Sequence, residues 1–262
     1  MVETRIIRSR FLRGDVKIKI ITPALRSIDA VMILLHGKKN CDEDDTMIEK
    51  MIDRLDLEAL CEKYHLMAVI PNMRNCYYIS TKDYQCDQFI SKELPEYLAG
   101  YNKDVLKAEK LLGGISMGGY GAMLIGANTD VFSQVISISG SFIENDILIG
   151  NPEVWGSRCP REDSAKGSFL YYFLPLEELA YSCYKSAEAA LGSLKRKEKR
   201  PELYFTCGTE DWLHPRNSAL LKKLRENHIE YHYYEIPKGQ HESSCFREGL
   251  WKCMEERRNL RG

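Results

Sequence analysis

Strict alternation of apolar and polar residues marks the N-terminal part of the chain, where Val16 to Ile20 alternates after the turn residues Gly14 and Asp15. This pattern predicts a β-hairpin over residues 5–21. Farther along the chain, short continuous apolar runs predict strands that are buried on both faces, as in parallel sheets. These strands are expected at residues 30–35, 66–70, 110–115, 132–139, 202–207 and 231–236.

Between those strands, apolar residues recur with the period of an α-helix. The predicted helices cover residues 45–64, 87–98, 117–127, 217–227 and 243–257, and Pro95 is expected to kink or break the second of them. Strands that alternate with helices predict an α/β fold, in which a mostly parallel sheet carries helices on both faces. We expect a single domain over residues 1–262, since α/β folds of this length commonly form one domain.

Residues 142–200 interrupt this alternation, because the segment is rich in aromatic residues and is too long for a plain loop. It begins where a predicted strand ends, at the edge of the sheet where ligands bind in α/β folds. We therefore expect a helical insertion. One interpretation is a lid, in which Trp155 and Phe173 would line the substrate pocket, and the other is a small separate core of packed aromatic rings. The charged residues 195–200 are interpreted as solvated surface.

The charge balance excludes several classes of protein. With 37 basic and 38 acidic residues the formal net charge is -1, which gives no electrostatic basis for binding nucleic acid or a membrane surface. No apolar run is long enough to span a bilayer, and residues 1–13 lack the uninterrupted apolar region of a secretory signal. The nine cysteines include no C-x-x-C pair and indicate free thiols in a reducing compartment. The sequence thus predicts a cytoplasmic protein without a metal site.

A G-x-S-x-G pattern spans Gly114 to Gly118 and lies between a predicted strand and a predicted helix. This is the context of a nucleophile elbow, where the glycines remove Cβ atoms that would collide in a sharp turn. The N-terminus of the following helix would direct amide donors and a positive dipole at developing negative charge. The pattern predicts Ser116 as a nucleophile, with tight packing between a helix and a strand as the purely structural alternative.

A serine hydroxyl requires a general base, and in this arrangement the chain order is serine, acid, histidine. His241 is the predicted base, because it lies in the loop between the last predicted strand and the final helix. His214 is the competing candidate and would otherwise line the pocket as a substrate contact. His228 and His232 are interpreted as surface or packed residues, since they fall at the end of a helix and inside a strand.

The segment Gly208-Thr209-Glu210-Asp211 follows the predicted strand 202–207, where the acidic member belongs. Asp211 is the predicted acid, and Glu210 is its alternative. The carboxylate would orient the imidazole and stabilise its cation without accepting the proton. A helix-terminal acid that interacts only with the helix dipole is the structural alternative.

An oxyanion hole requires two backbone N–H donors. One is expected at Met117, directly after the nucleophile, and the other at Gly37 or Lys38 in the loop after residues 30–35. His36 is interpreted as structural. The side chains of Lys38 and Lys39 are interpreted as solvated loop charges rather than substrate contacts.

These motifs resemble the esterase D-like branch of the α/β hydrolases, which includes tributyrin, feruloyl and acetyl esterases and S-formylglutathione hydrolases. The most specific part of the resemblance is the elbow with its extension, Ser116 to Ala122. Further similar blocks are residues 35–37, 72–78, 89–95, 208–211 and 239–242. The chain departs from the family at Ser243, where many members carry an aromatic residue, and at Lys38-Lys39, where small or apolar residues are common. The resemblance implies the α/β-hydrolase fold and a serine hydrolase without a cofactor.

The predicted function is a serine carboxylic ester hydrolase that cleaves small acyl esters, such as acetyl or feruloyl esters of sugars, through an acyl-Ser116 intermediate. An acyltransferase or peptidase with the same triad is one alternative, and a non-catalytic binding member of the fold is another. The complete set of Ser116, Asp211 and His241 disfavours the non-catalytic alternative. The expected partner is a small-molecule ester, and the sequence leaves open whether the chain forms a homo-oligomer.

Overall fold

The computed structural model describes residues 1–24, 27–41, 45–143 and 186–260, and within these ranges an eight-stranded sheet organises the chain. The strands are β1 (Val2–Ser9), β2 (Gly14–Ile21), β3 (Ala30–Leu35), β4 (Leu66–Pro71), β5 (Glu109–Ile115), β6 (Gln134–Ile138), β7 (Glu202–Gly208) and β8 (His232–Ile236). Their order is β1-β2-β4-β3-β5-β6-β7-β8, in which β1 and β2 pair antiparallel and β3 to β8 run parallel. The predicted hairpin and the mostly parallel sheet are confirmed.

Helices cover both faces of this sheet and bury its continuous apolar strands. They are α1 (Thr46–Arg54), α2 (Leu57–Lys63), α3 (Cys86–Gln88), α4 (Leu94–Tyr101), α5 (Met117–Asn128), α6 (Ala187–Arg196), α7 (His214–Glu226) and α8 (Ser243–Asn259). One apolar core lies between the sheet and α1, α2 and α8, and a second core lies between the opposite face and α3 to α7. No helix in the described ranges is long and apolar enough to cross a membrane.

The one helix predicted over residues 45–64 is two helices in the structure. Asp56 separates α1 from α2 in a left-handed conformation, with φ 55° and ψ 48°. Leu55 and Leu57 on either side are both buried. The apolar period therefore continues across the break, which hides the turn from the sequence, while aspartate is among the few residues that adopt this conformation at low cost.

Pro95 lies inside a helical segment, not at its end. A π-helical turn over Phe89–Glu93 joins α3 to α4, so the chain remains helical from Cys86 to Tyr101. The ring of a proline within a helix clashes with the preceding turn and removes one backbone donor. The wider π turn directly before Pro95 accommodates both effects, and the helical segment is not broken at the proline.

The two central parallel strands define the edge of the sheet at which a ligand is expected. From β3 the chain passes to β4 on one side and then crosses to β5 on the other side of β3. In open α/β sheets, ligands bind outside the carboxyl ends of the strands at such a switch point. The residues that follow these two strand ends are His36 to Lys38 and Ser116.

The predicted insertion is described at its two ends only. Trp155 and Phe173, and with them most of the predicted lid, lie outside the described residues. At the far end, α6 packs against α5 and contributes three buried core residues, Ala190, Leu191 and Leu194. In the charge run after α6, Lys197 donates a hydrogen bond to Thr129 O at 2.6 Å and also contacts Asp130. This end of the insertion is therefore part of the core.

Candidate active site

Ser116 lies in a sharp turn between the end of β5 and the start of α5. Its backbone has φ 55° and ψ -115°, a strained conformation for a residue with a side chain. Backbone hydrogen bonds fix the turn: Ser116 N donates to Ile138 O at 2.9 Å, and Ser116 O accepts from the N–H groups of Tyr120 at 3.1 Å and Ser141 at 3.0 Å. Such concentrated strain at the end of a central strand is typical of functional sites.

Two glycines make this turn possible. A Cβ atom on Gly114 would lie 2.0 Å from Gly118 O, and a Cβ atom on Gly118 would lie 2.1 Å from Leu35 O. Both obstacles are backbone atoms, which cannot move aside like the end of a side chain. The spacing of the G-x-S-x-G pattern is therefore dictated by the close approach of β3, β5 and α5.

We expect Gly118→Ala to lower the melting temperature and the soluble yield, because overpacking of this kind costs about 1–3 kcal/mol or more. Gly100→Ala is the matched control, since a Cβ atom on Gly100 meets nothing within 4 Å. That change lies in α4 and should stabilise the protein by about 0.5–1 kcal/mol. Thermal unfolding followed by circular dichroism compares the two, and equal melting temperatures would contradict this explanation of the turn.

Three side chains from separate loops meet above the sheet. His241 Nε2 lies 3.0 Å from Ser116 Oγ, and His241 Nδ1 lies 2.8 Å from Asp211 Oδ2. An ionised carboxylate only accepts hydrogen bonds, so Nδ1 carries the proton and Nε2 is free to accept from the serine hydroxyl. The structure thus brings together the predicted nucleophile, base and acid in the order that proton transfer requires.

Asp211 is buried, and its second oxygen accepts a hydrogen bond from the backbone N–H of Leu213 at 2.8 Å. Burial opposes ionisation of this carboxyl, but the hydrogen bonds from His241 and Leu213 outweigh it and hold the pKa of Asp211 below its ordinary value. The carboxylate is therefore charged at neutral pH. Glu210, the alternative acid, is exposed and lies 3.3 Å from the side-chain amide of Gln240, so it does not serve His241 in this structure.

The structure places the other histidines apart from Ser116. His214 is the first residue of α7, and its Nε2 lies 2.7 Å from Glu235 Oε1. His214 is absent from the residues that line the pocket beside Ser116. His232 lies in β8, where its ring stacks on Tyr204 with centroids 4.6 Å apart. Of the histidines after Ser116 in the described part of the chain, only His241 contacts the serine hydroxyl.

The loop after β3 lies directly against the serine, since a Cβ atom on Gly37 would be 3.4 Å from Ser116 Cβ. His36 is fully buried and holds this loop from below: Nδ1 donates to Gly37 O at 2.6 Å, and Nε2 accepts from Met73 N at 3.0 Å. The hydroxyl of Tyr78 donates to His36 O at 3.1 Å. The structural interpretation of His36 agrees with these contacts.

The same loop is fixed at its far end by an amide side chain. Lys39 N donates to Asn75 Oδ1 at 2.8 Å, and Asn75 Nδ2 donates to Lys39 O at 3.0 Å. The Lys39 ammonium is buried and donates to Asn72, whose own amide donates to Asp45. The interpretation of Lys39 as a solvated charge is therefore wrong, because its charge is compensated inside the protein by this chain of hydrogen bonds.

A cavity of about 370 Å³ opens beside Ser116. It is lined by Gly37, Lys38, Met47, Lys50, Met51, Arg54, Leu55, Tyr77, Ile115, Ser116, Ser141, Trp212, His241, Ser243 and Phe246. Within the described part of the chain, no group of three or more His, Cys, Asp or Glu side chains is arranged to hold a metal ion. The cavity therefore offers apolar walls, the serine and several basic side chains.

Two aromatic rings flank His241 that the sequence patterns did not single out. The rings of Trp212 and Phe246 meet the imidazole edge to face, with centroids 5.6 Å and 4.9 Å apart. Trp212 is 51% exposed although it lines the cavity, and the guanidinium of Arg216 lies 5.7 Å from the centre of its ring. Ser141 was also missed, and its Oγ lies 3.2 Å from Ser116 Oγ. Trp212 directly follows Asp211 in the sequence, and that adjacency was the available signal.

Comparisons with known proteins agree with this geometry. The family model described as "Putative esterase" matches residues 62–254. A curated acetyl esterase of Caldicellulosiruptor saccharolyticus is 29% identical over 191 residues, which cover 70% of this chain and 68% of that protein.

Two solved structures of Staphylococcus aureus proteins share the fold. The fluorophosphonate-binding serine hydrolase F superposes with a TM-score of 0.78 at 16% identity, covering 98% of this chain and 97% of its own. The S-formylglutathione hydrolase superposes with a TM-score of 0.75 at 15% identity, covering 98% of each chain. The resemblance stated from the motifs is confirmed: the chain belongs to the esterase family and is a serine ester hydrolase with the α/β-hydrolase fold.

Proposed function

We propose that Ser116 is the nucleophile of this esterase, His241 its general base and Asp211 the acid that orients the imidazole. The observation that carries the proposal is the pair of contacts made by one ring, 3.0 Å from Nε2 to the serine oxygen and 2.8 Å from Nδ1 to the carboxylate. Both lie within the range required for proton transfer by a positioned base.

In the first half of the reaction, Ser116 Oγ attacks the ester carbonyl carbon while His241 Nε2 takes the hydroxyl proton. The carbonyl oxygen becomes an oxyanion. When the tetrahedral intermediate collapses, the bond to the alcohol oxygen breaks and His241 returns the proton to that oxygen. Water then repeats the sequence on the acyl-serine, releasing the carboxylic acid and restoring Ser116.

The oxyanion is proposed to bind the backbone N–H of Met117 and that of Gly37 or Lys38. Met117 is the first residue of α5, so its N–H has no partner within the helix. Gly37 lies against Ser116, and the loop that carries it is held by His36 and Asn75. A loop fixed in this way supplies donors that need little reorganisation during the reaction, which is the main requirement for stabilising an oxyanion.

The substrates are proposed to be esters of small acyl groups, including acetyl or feruloyl groups on sugars. The cavity of about 370 Å³ is at the lower end of the range of roughly 300–1,000 Å³ found for small-molecule sites. The partly exposed indole of Trp212, which lines the cavity, offers aromatic surface to a sugar or phenolic ring. The similarity to an acetyl esterase supports the same class of acyl group.

We expect kcat/KM to be highest for acetyl to butyryl nitrophenyl esters and to fall steeply for octanoyl and palmitoyl esters, because a small cavity excludes long chains. The panel is extended with acetylated and feruloylated sugars to find the natural alcohol. A rate that stays level or rises toward the palmitoyl ester would contradict the assignment to small acyl groups.

We further propose that the protein works in a reducing compartment, the cytoplasm. The seven cysteines within the described ranges are free, and the Sγ atoms of Cys76 and Cys86 lie 3.5 Å apart as thiols. Close thiols of this kind persist where disulfides are kept reduced. Cell fractionation with thiol alkylation tests this, and recovery of the protein outside the cytoplasm would contradict it.

A further inference from the structure

The walls of the cavity beside Ser116 carry an uneven charge. Three of its lining residues, Lys38, Lys50 and Arg54, are cationic, whereas no aspartate or glutamate is among the described residues that line it. The carboxylate of Asp211 is buried and hydrogen-bonded to His241, and it does not line the cavity. The chain as a whole has a formal net charge of -1, so this positive charge is a local feature of the site.

Lys50 and Arg54 follow one another by one turn on the same face of α1 and therefore repel each other. Met47 and Met51 of the same face also line the cavity, so the two charges accompany an apolar wall. Arg54 in the last turn interacts favourably with the helix dipole, but neither cation forms a salt bridge with a described residue that would offset the repulsion. A ligand of opposite charge would remove the repulsion.

Neighbouring cations that do not line the cavity form salt bridges with carboxylates. Lys17 pairs with Asp45 at 2.5 Å, and Lys19 pairs with Glu49 at 3.1 Å.

Arg247 of α8 likewise pairs with Asp56 at 3.0 Å. In contrast, Lys38, Lys50 and Arg54 form no salt bridge with any described residue, and Lys38 Nζ makes only a long contact of 3.4 Å to Lys39 O. These three unpaired cations all line the cavity.

From this arrangement we infer that the esterase prefers anionic substrates, namely esters whose acyl or alcohol part carries a carboxylate or phosphate, bound by Lys50, Arg54 and Lys38. The inference rests on the proposed function of Ser116 in the same cavity. Several cations that line one concave site attract an anion more strongly than the same charges spread over an open surface, and they raise its local concentration. Guanidinium and ammonium groups are also the usual partners of carboxylate and phosphate oxygens in proteins.

Two matched pairs of substrates test the inference, one for each side of the ester. For the acyl side, the mono-4-nitrophenyl ester of adipic acid is compared with 4-nitrophenyl hexanoate. For the alcohol side, 4-acetoxybenzoate is compared with 4-acetoxybenzamide. The readout is the ratio of kcat/KM for the anionic and the neutral member, corrected for spontaneous hydrolysis. We expect a ratio of about 10 or more in at least one pair, which corresponds to about 1.4 kcal/mol.

Variants connect the ratio to the cavity wall. Lys50→Met with Arg54→Met should lower the ratio severalfold, and Lys50→Glu with Arg54→Glu should bring it below one. The control replaces Lys103 and Lys107 by Met, two exposed lysines near the amino end of β5, and should keep the wild-type ratio. Raising the salt from about 0.1 M to about 1 M shortens the Debye length from about 10 Å to about 3 Å and should also lower the ratio.

The possible outcomes distinguish a failure of this inference from a failure of the proposed function. A ratio near or below one in both pairs, with Ser116-dependent hydrolysis of the neutral esters, would overturn the preference and leave the esterase mechanism standing. A high ratio that Lys50→Glu with Arg54→Glu does not change would also overturn it. Hydrolysis that persists in Ser116→Ala would instead overturn the proposed mechanism.

Discussion

Replacing Ser116 by alanine is expected to lower kcat/KM for 4-nitrophenyl acetate by about 10³-fold or more, because one member of a triad carries most of its acceleration. The fold should remain intact. The turn is held by backbone hydrogen bonds of Ser116 to Ile138, Tyr120 and Ser141, none of which uses the hydroxyl group.

The control for this variant is Ser133→Ala, near the amino end of β6, where the hydroxyl makes only a 3.3 Å hydrogen bond to Lys110 O among the described contacts. It should keep wild-type turnover. Circular dichroism and thermal unfolding establish that both variants are folded. Wild-type turnover by folded Ser116→Ala would show that the nucleophile lies elsewhere.

His241→Ala is expected to lose activity on the same scale, about 10³-fold or more, while His214→Ala keeps it within a few fold. The reason is geometric. The His241 ring contacts Ser116 at 3.0 Å, whereas the His214 ring contacts Glu235 at 2.7 Å. Loss of that second contact, at a partly exposed site, should cost little stability.

The comparison is made at pH 7 with saturating ester, so that a change in substrate affinity does not mask a change in kcat. Both variants replace a histidine by alanine, so the two proteins differ only in the position of the change. An inactive His214→Ala enzyme together with an active His241→Ala enzyme would reverse the assignment of the base.

The sequence predicted which three side chains meet above the sheet, because the causes of that arrangement are local or topological. Gly114 and Gly118 are required by backbone contacts of 2.0 Å and 2.1 Å that any side chain would create, so the motif is inseparable from the turn. His241 and Asp211 could be placed because each follows a strand of a parallel sheet. The carboxyl ends of such strands lie at one edge, where the loops converge.

The walls of the cavity could not be predicted in the same way. Met47, Lys50 and Arg54 line the cavity from a helix more than sixty positions before Ser116, and Phe246 lines it from the last helix. Helical periodicity identifies which residues share a face but does not tell which loop that face meets. Only the packing of α1 and α8 on the sheet brings these side chains to the cavity beside the serine.

Two local errors have the same origin in tertiary structure. The apolar period passes through Asp56 without interruption, so the break between α1 and α2 leaves no pattern to detect. Lys39 reads as a solvated charge in a loop, yet the packed loop buries it against Asn72. In both cases burial, and not the type of residue, decides the outcome.

The central claim, that Ser116 is an activated nucleophile, is tested most directly by reaction with a fluorophosphonate, followed by intact-mass and peptide mass spectrometry. Phosphonylation requires a serine whose hydroxyl is deprotonated by a neighbouring base as it attacks. The wild-type protein should gain one adduct, located on the peptide that contains Ser116, and Ser116→Ala should gain none. An unlabelled wild-type protein, or an adduct on another residue with Ser116 unmodified, would contradict the account.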